Sequence, residues 1–162
     1  MIDRKLKAVF TFLLGVLALL YVTQNLVNLE QAYGAFAYVT SLTDHTAYPQ
    51  NLLPALAPAA SNILAWVIFA GEGATGLLLL FGSFRLWSAR HAGKTEFEAA
   101  KTVAKLGCAA AILVWFGLFT VFGGGGYQMW QTEIGSGSLM DAFTFWAFGL
   151  GLLIYLNQAE PD

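Results

Sequence analysis

Glu72 is the residue whose type and position come nearest to chemistry. It lies near the middle of the apolar run from Ser61 to Leu86, and no Lys, Arg or His stands in the interior of any apolar run to pair with it. An ionised carboxylate at the centre of a bilayer costs at least about 3 kcal/mol. Desolvation therefore favours the neutral form, which donates a hydrogen bond. The flanking stretch Ala70-Gly71-Glu72-Gly73-Ala74-Thr75-Gly76 is almost all small, and Gly71, Gly73 and Gly76 would let a neighbouring helix approach closely. Counting inward from both faces places Trp115 at similar depth, with Thr144 and Trp146 slightly further out, as candidate partners. Three roles stand open: a carboxyl bonded across helices, a contact with another membrane subunit, and a proton or cation site. Proton paths usually string several ionisable groups together, and one is present, so the structural role is preferred.

The remaining reactive types form no set. His45 and His91 fall in loops on opposite sides of the apolar runs, where they cannot serve as axial ligands of an intramembrane haem. Asp44-His45 is two adjacent metal-capable residues without a third nearby, and reads as an exposed polar turn. Cys108, the one cysteine, falls in an apolar run and reads as a small packed residue. Gly123 to Gly126 lacks the Lys-Ser or Lys-Thr of a phosphate-binding loop and is expected to end a helix. Gln24 and Asn25 are expected to bond between helices. No catalytic, cofactor or metal residues are assigned, so the chain is expected not to be an enzyme and to carry no cofactor.

The elements that must position Glu72 follow from composition. Of 162 residues, 57% are hydrophobic and 11% charged, against about a quarter charged in a soluble domain. The spacing predicts an all-α fold in one integral membrane domain, residues 1–162: a four-helix transmembrane bundle. A bilayer core needs about 20 apolar residues per helix, met near Leu6 to Val27, Ser61 to Leu86, Val103 to Phe122 and Leu139 to Leu156. Arg4, Lys5 and Lys7 precede the first run, and Arg85, Arg90, Lys94, Lys101 and Lys105 surround the second connection; these are all the Lys and Arg of the chain. The positive-inside rule then puts both termini and the Trp87 to Thr102 loop in the cytoplasm. Nucleic acid is not an expected partner, since no broad basic surface exists to neutralise phosphates.

Trp66, Tyr127 and Trp130 are placed as an outer interfacial belt, Trp87 and Tyr155 as an inner one. Thr95-Glu96-Phe97-Glu98 and Ser138-Leu139-Met140-Asp141 have the form of capping boxes opening the third and fourth helices. In the first outer loop, Asn28 to Ala60, the residues Leu29, Tyr33, Phe36 and Val39 or Thr40 lie near helical spacing. They predict a short interfacial helix, either a lid over the bundle or a docking surface.

With Gln24-Asn25-Leu26, the Tyr33 to Leu42 aromatic stretch, Glu72, Gly123-Gly124, Met129-Trp130-Gln131 and Ala142-Phe143-Thr144-Phe145 in place, the chain resembles the bacterial predicted small integral membrane proteins. That is a four-span family of unknown function. The resemblance covers nearly the whole chain. It departs from the family pattern at Gly125 and Thr144, where the family has a Glu and an Arg, and this favours a scaffold over an active transporter. The expected role is an accessory subunit of a larger bacterial inner-membrane complex, with energy transduction as one setting. The lipid bilayer and other membrane subunits are its expected partners. Tyr33, Phe36, Met129, Trp130 and Gln131 are candidate partner or interfacial contacts. The rival is a small transporter or channel using Glu72.

Overall fold

The structure is a computed structural model that describes residues 2–160. Among the described residues, four helices are long and apolar enough to cross a membrane. Helix α1 spans Ile2–Val27, α2 Leu29–Ser41, α3 Pro58–Ser88 and α4 Lys94–Ala111, continuing without a break as a π-helical segment Ile112–Gly126. A short 3₁₀ turn, Met129–Gln131, leads into α5, Glu133–Asn157. Among the described residues there is no strand.

The bundle closes through small residues. On α1, Ala8, Thr11, Leu14, Gly15, Ala18 and Val22 are buried, a three-or-four-residue spacing that defines one face of a helix. That face meets α3 closely: a Cβ on Gly15 would lie 3.0 Å from the Leu79 Cβ, and one on Gly76 would overlap Leu19 and lie 3.2 Å from the Gly15 carbonyl oxygen. Helix α4 reaches the other side of α3, where a Cβ on Gly82 would lie 2.6 Å from the Ala104 backbone nitrogen. The Ser83 hydroxyl adds a cross-helix bond to the Ala8 carbonyl at 2.8 Å. Away from these seams the surface is apolar, with Phe12, Leu13, Leu77, Phe81, Phe84, Leu113, Phe148 and Ile154 all exposed. Such residues are stable outward only against lipid.

The connections divide the bundle into two ends. The start of α1, the α3–α4 turn and the tail after α5 share one end with all the Lys and Arg, the basic end. Helix α2, the irregular 42–57 segment and the 127–132 turn share the other, the lid end.

Several local expectations are corrected. The third helix does not stop at Phe122: backbone bonding runs through the glycines, and the Tyr127 N–H bonds to the Phe122 carbonyl at 3.0 Å. In lipid, unpaired backbone groups cost several kcal/mol, so a helix that can keep its bonds keeps them. The turn falls instead at Gln128, whose φ is 51°. Neither capping box forms. Helix α4 begins at Lys94 after Gly93, without a side-chain cap, and Glu98 is drawn to Lys101 at 2.9 Å. Helix α5 begins at Glu133, capped by Thr132, whose Oγ1 accepts from the Gly135 N–H at 3.1 Å. Ser138 lies inside that helix and bonds to the Ile134 carbonyl. Tyr127, placed in the outer belt by sequence, is 4% exposed because it packs inward against Phe122.

Candidate functional site

Glu72 faces a cavity of about 180 Å³ at the lid end. Its side chain is 1% exposed, and its Oε2 accepts a hydrogen bond from Asn25 Nδ2 at 3.1 Å. The expectation that Asn25 bonds between helices holds, and its partner across the α1–α3 seam is Glu72. Gln24 is exposed and contributes its carbonyl to Asn28.

Trp115 lines the same cavity but stacks on Phe145 at 4.1 Å with ring planes 6° apart, and Tyr21 meets Phe145 edge-on at 4.6 Å. Trp115 therefore supplies the aromatic wall beside Glu72 and makes no hydrogen bond to it. Thr144 is not brought to Glu72: it is exposed and its hydroxyl returns to the Met140 carbonyl. Trp146 packs against Phe116 and Phe143. The π-helical bonding of 112–126 places Trp115, Phe119 and Gly123, four residues apart, along the cavity. Stretches of π-helix are rare and gather at functional sites.

The glycines around Glu72 differ. A Cβ on Gly71 would lie 2.6 Å from Val114 Cγ2, and Gly76 is closed in by Leu19. Gly73 has nothing within 4 Å of such a Cβ. It points away from the seam that its neighbours build, so it is not a packing residue of this chain.

Helix α2 covers the cavity as a lid. Phe36 meets Phe69 edge-on at 5.9 Å, the Tyr33 hydroxyl accepts from Trp66 Nε1 at 2.6 Å, and Thr40 bonds to Ser61 at 3.1 Å. The residues expected as partner or interfacial contacts are thus largely engaged within the chain. Met129 is buried and lines the cavity. Gln131 bonds to the backbone of Tyr48 on both sides, at 2.9 and 3.2 Å. Trp130 meets Tyr48 edge-on and keeps an exposed face. Asp44 and His45 form no exposed pair: Asp44 accepts from the Tyr38 hydroxyl at 2.6 Å, whereas His45 is buried.

The basic end holds a second polar centre that sequence reasoning missed. Glu160, in the tail after α5, is 2% exposed and lies between Lys7 at 2.6 Å, Lys101 at 2.7 Å and Arg4 at 3.1 Å. Lys7 and Lys101 are themselves 1% and 0% exposed. Asp3 supports Lys7 at 2.9 Å, Tyr155 donates to Asp3, and Arg4 donates to the Ala92 carbonyl at 2.7 Å. Burial alone would raise the Glu160 carboxyl, but hydrogen bonds from Lys101, Lys7 and Arg4 outweigh it and hold it below the usual carboxylate value. The cluster therefore ties the first helix, the α3–α4 turn and the tail together. Its sequence signal was an acidic tail at the end of the bundle that carries the Lys and Arg residues.

Two buried polar centres inside a bundle of four apolar helices define an integral membrane protein of the polytopic helical class. The family model described as predicted small integral membrane protein (DUF2165) matches residues 3–159, and the chain belongs to that family. No curated protein and no solved structure matches the chain. Positions 125 and 144, where the resemblance noted missing charges, are exposed and do not line the cavity.

Proposed function

We propose that this protein is a non-catalytic accessory or scaffold subunit of the bacterial inner membrane, packed beside a larger complex. Energy transduction is one setting for that complex. Both termini lie in the cytoplasm, because the basic end carries every Lys and Arg of the chain. The observation that carries the reading is where the buried ionisable groups go. Glu72 is bonded to Asn25, and Lys7, Lys101 and Glu160 to one another, so these groups fasten helices within the chain. In support, α5 presents Phe148, Leu150 and Ile154 outward beside Gly151, which has open space around it. Small residues in such a face allow close helix approach.

Gentle detergent extraction followed by native mass analysis and identification of co-migrating chains tests this. An accessory subunit travels with a much larger partner, and a chain that migrates alone in every mild detergent contradicts it. The cavity beside Glu72 favours a second reading, a small transporter or channel working through that carboxylate. Proton or cation flux in reconstituted vesicles would support it.

A further inference from the structure

The Glu72 cavity has a chemistry that helix fastening does not account for. Asn25 occupies Oε2, and Oε1 accepts no hydrogen bond from the described residues while its side chain lines the void. Among the described residues no Lys, Arg or His lines the cavity; the other ionisable groups there are Tyr21, Tyr127 and Asp141, and Asp141 is exposed at its edge. Rings form part of the wall, Tyr21, Phe36, Trp115, Phe119 and Tyr127, and aliphatic side chains such as Leu64, Ile68 and Leu118 form the rest. Aromatic faces attract cations, and the attraction grows when water is excluded. No Lys or Arg stands between Lys7 and Arg85 or after Lys105, whereas Glu30, Asp44, Glu133 and Asp141 all belong to the lid end. Clefts lined by one sign of charge raise the local concentration of the opposite ion.

The lining is unsuited to a bare metal ion. Among the described residues no group of three His, Cys, Asp or Glu comes together, and hard divalent cations take six or more oxygens. The volume of about 180 Å³ slightly exceeds the roughly 150 Å³ of an apolar cavity that takes one benzene. A ligand with one positive charge and a few carbon atoms matches the size, the single free carboxylate oxygen and the aromatic walls together.

We propose that this cavity binds a small organic monocation, an alkylammonium group with a short apolar body, its nitrogen on Glu72 Oε1 and its carbons against the aromatic walls. The proposal deepens the second reading above, and a cation that binds without flux would refute transport while leaving the site intact.

Isothermal titration of the purified protein in an uncharged maltoside detergent, with n-butylammonium as the probe and 1-pentanol as its neutral counterpart, tests the proposal. The expected result is saturable butylammonium binding, at least tenfold tighter than the alcohol and undiminished by an equal concentration of sodium. Glu72→Gln should weaken it at least tenfold. A second variant, Ala35→Leu, fills the void from the lid and should abolish binding with Glu72 and its bond to Asn25 intact. Unfolding curves for both confirm that they fold. Phosphatidylethanolamine, added to the micelles, identifies the source of the ammonium: competition assigns the site to a lipid headgroup, and its absence to a free amine. Equal affinity for the alcohol, displacement by sodium, unchanged binding in folded Glu72→Gln, or no saturable binding by the wild type would each overturn the proposal.

Discussion

Truncating Glu160 to Ala should be a severe change at the basic end. It leaves Lys7 and Lys101, 1% and 0% exposed, without the carboxylate that lies 2.6 and 2.7 Å from them. Removing one partner of a buried ion pair costs about 3–5 kcal/mol, chiefly through the charge left behind. Lys7 keeps Asp3 at 2.9 Å and Lys101 keeps Glu98 at 2.9 Å, so the lower end, about 3 kcal/mol, is expected. Equilibrium unfolding in mixed micelles measures it. Replacing Lys7 and Lys101 by Met together with Glu160 by Leu removes the stranded charges, and should recover most of the loss. The pH dependence has a definite sign. A carboxyl held below its ordinary value of 4.5 stabilises fully above that value and loses its contribution as pH falls through the lower folded one. Wild-type stability should therefore fall on acidification below about pH 4.5, and Glu160→Ala should flatten that limb. A loss under about 0.5 kcal/mol, the range of an ordinary surface substitution, would refute the reasoning.

Three further outcomes are expected. Gly82→Ala should destabilise by about 1–3 kcal/mol, because its new Cβ would meet Ala104 backbone, whereas Gly73→Ala meets nothing and should be neutral or stabilising by up to about 1 kcal/mol; thermal unfolding of the two variants compares them directly. Asn25→Ala and Glu72→Ala should each remove one cross-helix bond, and a double-mutant cycle should return a coupling of about 0.6–2 kcal/mol; a coupling of zero would show that the bond contributes nothing. Cysteines placed at Thr46 and Ser136 should react with an impermeant thiol reagent from outside the cell and one at Ala92 should not, against a silent background because Cys108 is fully buried; labelling at Ala92 in sealed cells would reverse the orientation.

The long-range architecture was legible because it depends on run length and charge placement, which are properties of the chain alone. Four apolar runs and the basic end follow from such counts, and the short helix Leu29–Ser41 from the helical spacing of Leu29, Tyr33 and Phe36. The pairing of Glu72 was legible only in halves. Asn25 read as a cross-helix hydrogen-bond partner and Glu72 as a carboxyl lacking a cationic partner, but joining residues 47 positions apart requires the rotation of α1 about its axis, which hydropathy does not carry. For the same reason Thr144 was placed beside Glu72 when it faces outward. The cap of α5 was placed at Ser138 by the Ser138-x-x-Asp141 pattern, but it falls at Thr132, which also closes the preceding turn by bonding to the Met129 carbonyl. Glu160 was invisible because its role exists only once the tail folds back among cations drawn from two separate helices.

The proposed role of Glu72 is to fasten the bundle rather than to carry protons across it. It is tested most directly by Glu72→Gln, which keeps volume and hydrogen bonding to Asn25 but cannot cycle a proton. Unfolding stability, partner co-migration and proton flux should be measured on the same preparations of the wild type, Glu72→Gln and Glu72→Ala. Gln should behave as the wild type in all three, while Ala should weaken stability and assembly. A wild-type proton flux that disappears in fully folded, fully assembled Glu72→Gln would contradict it.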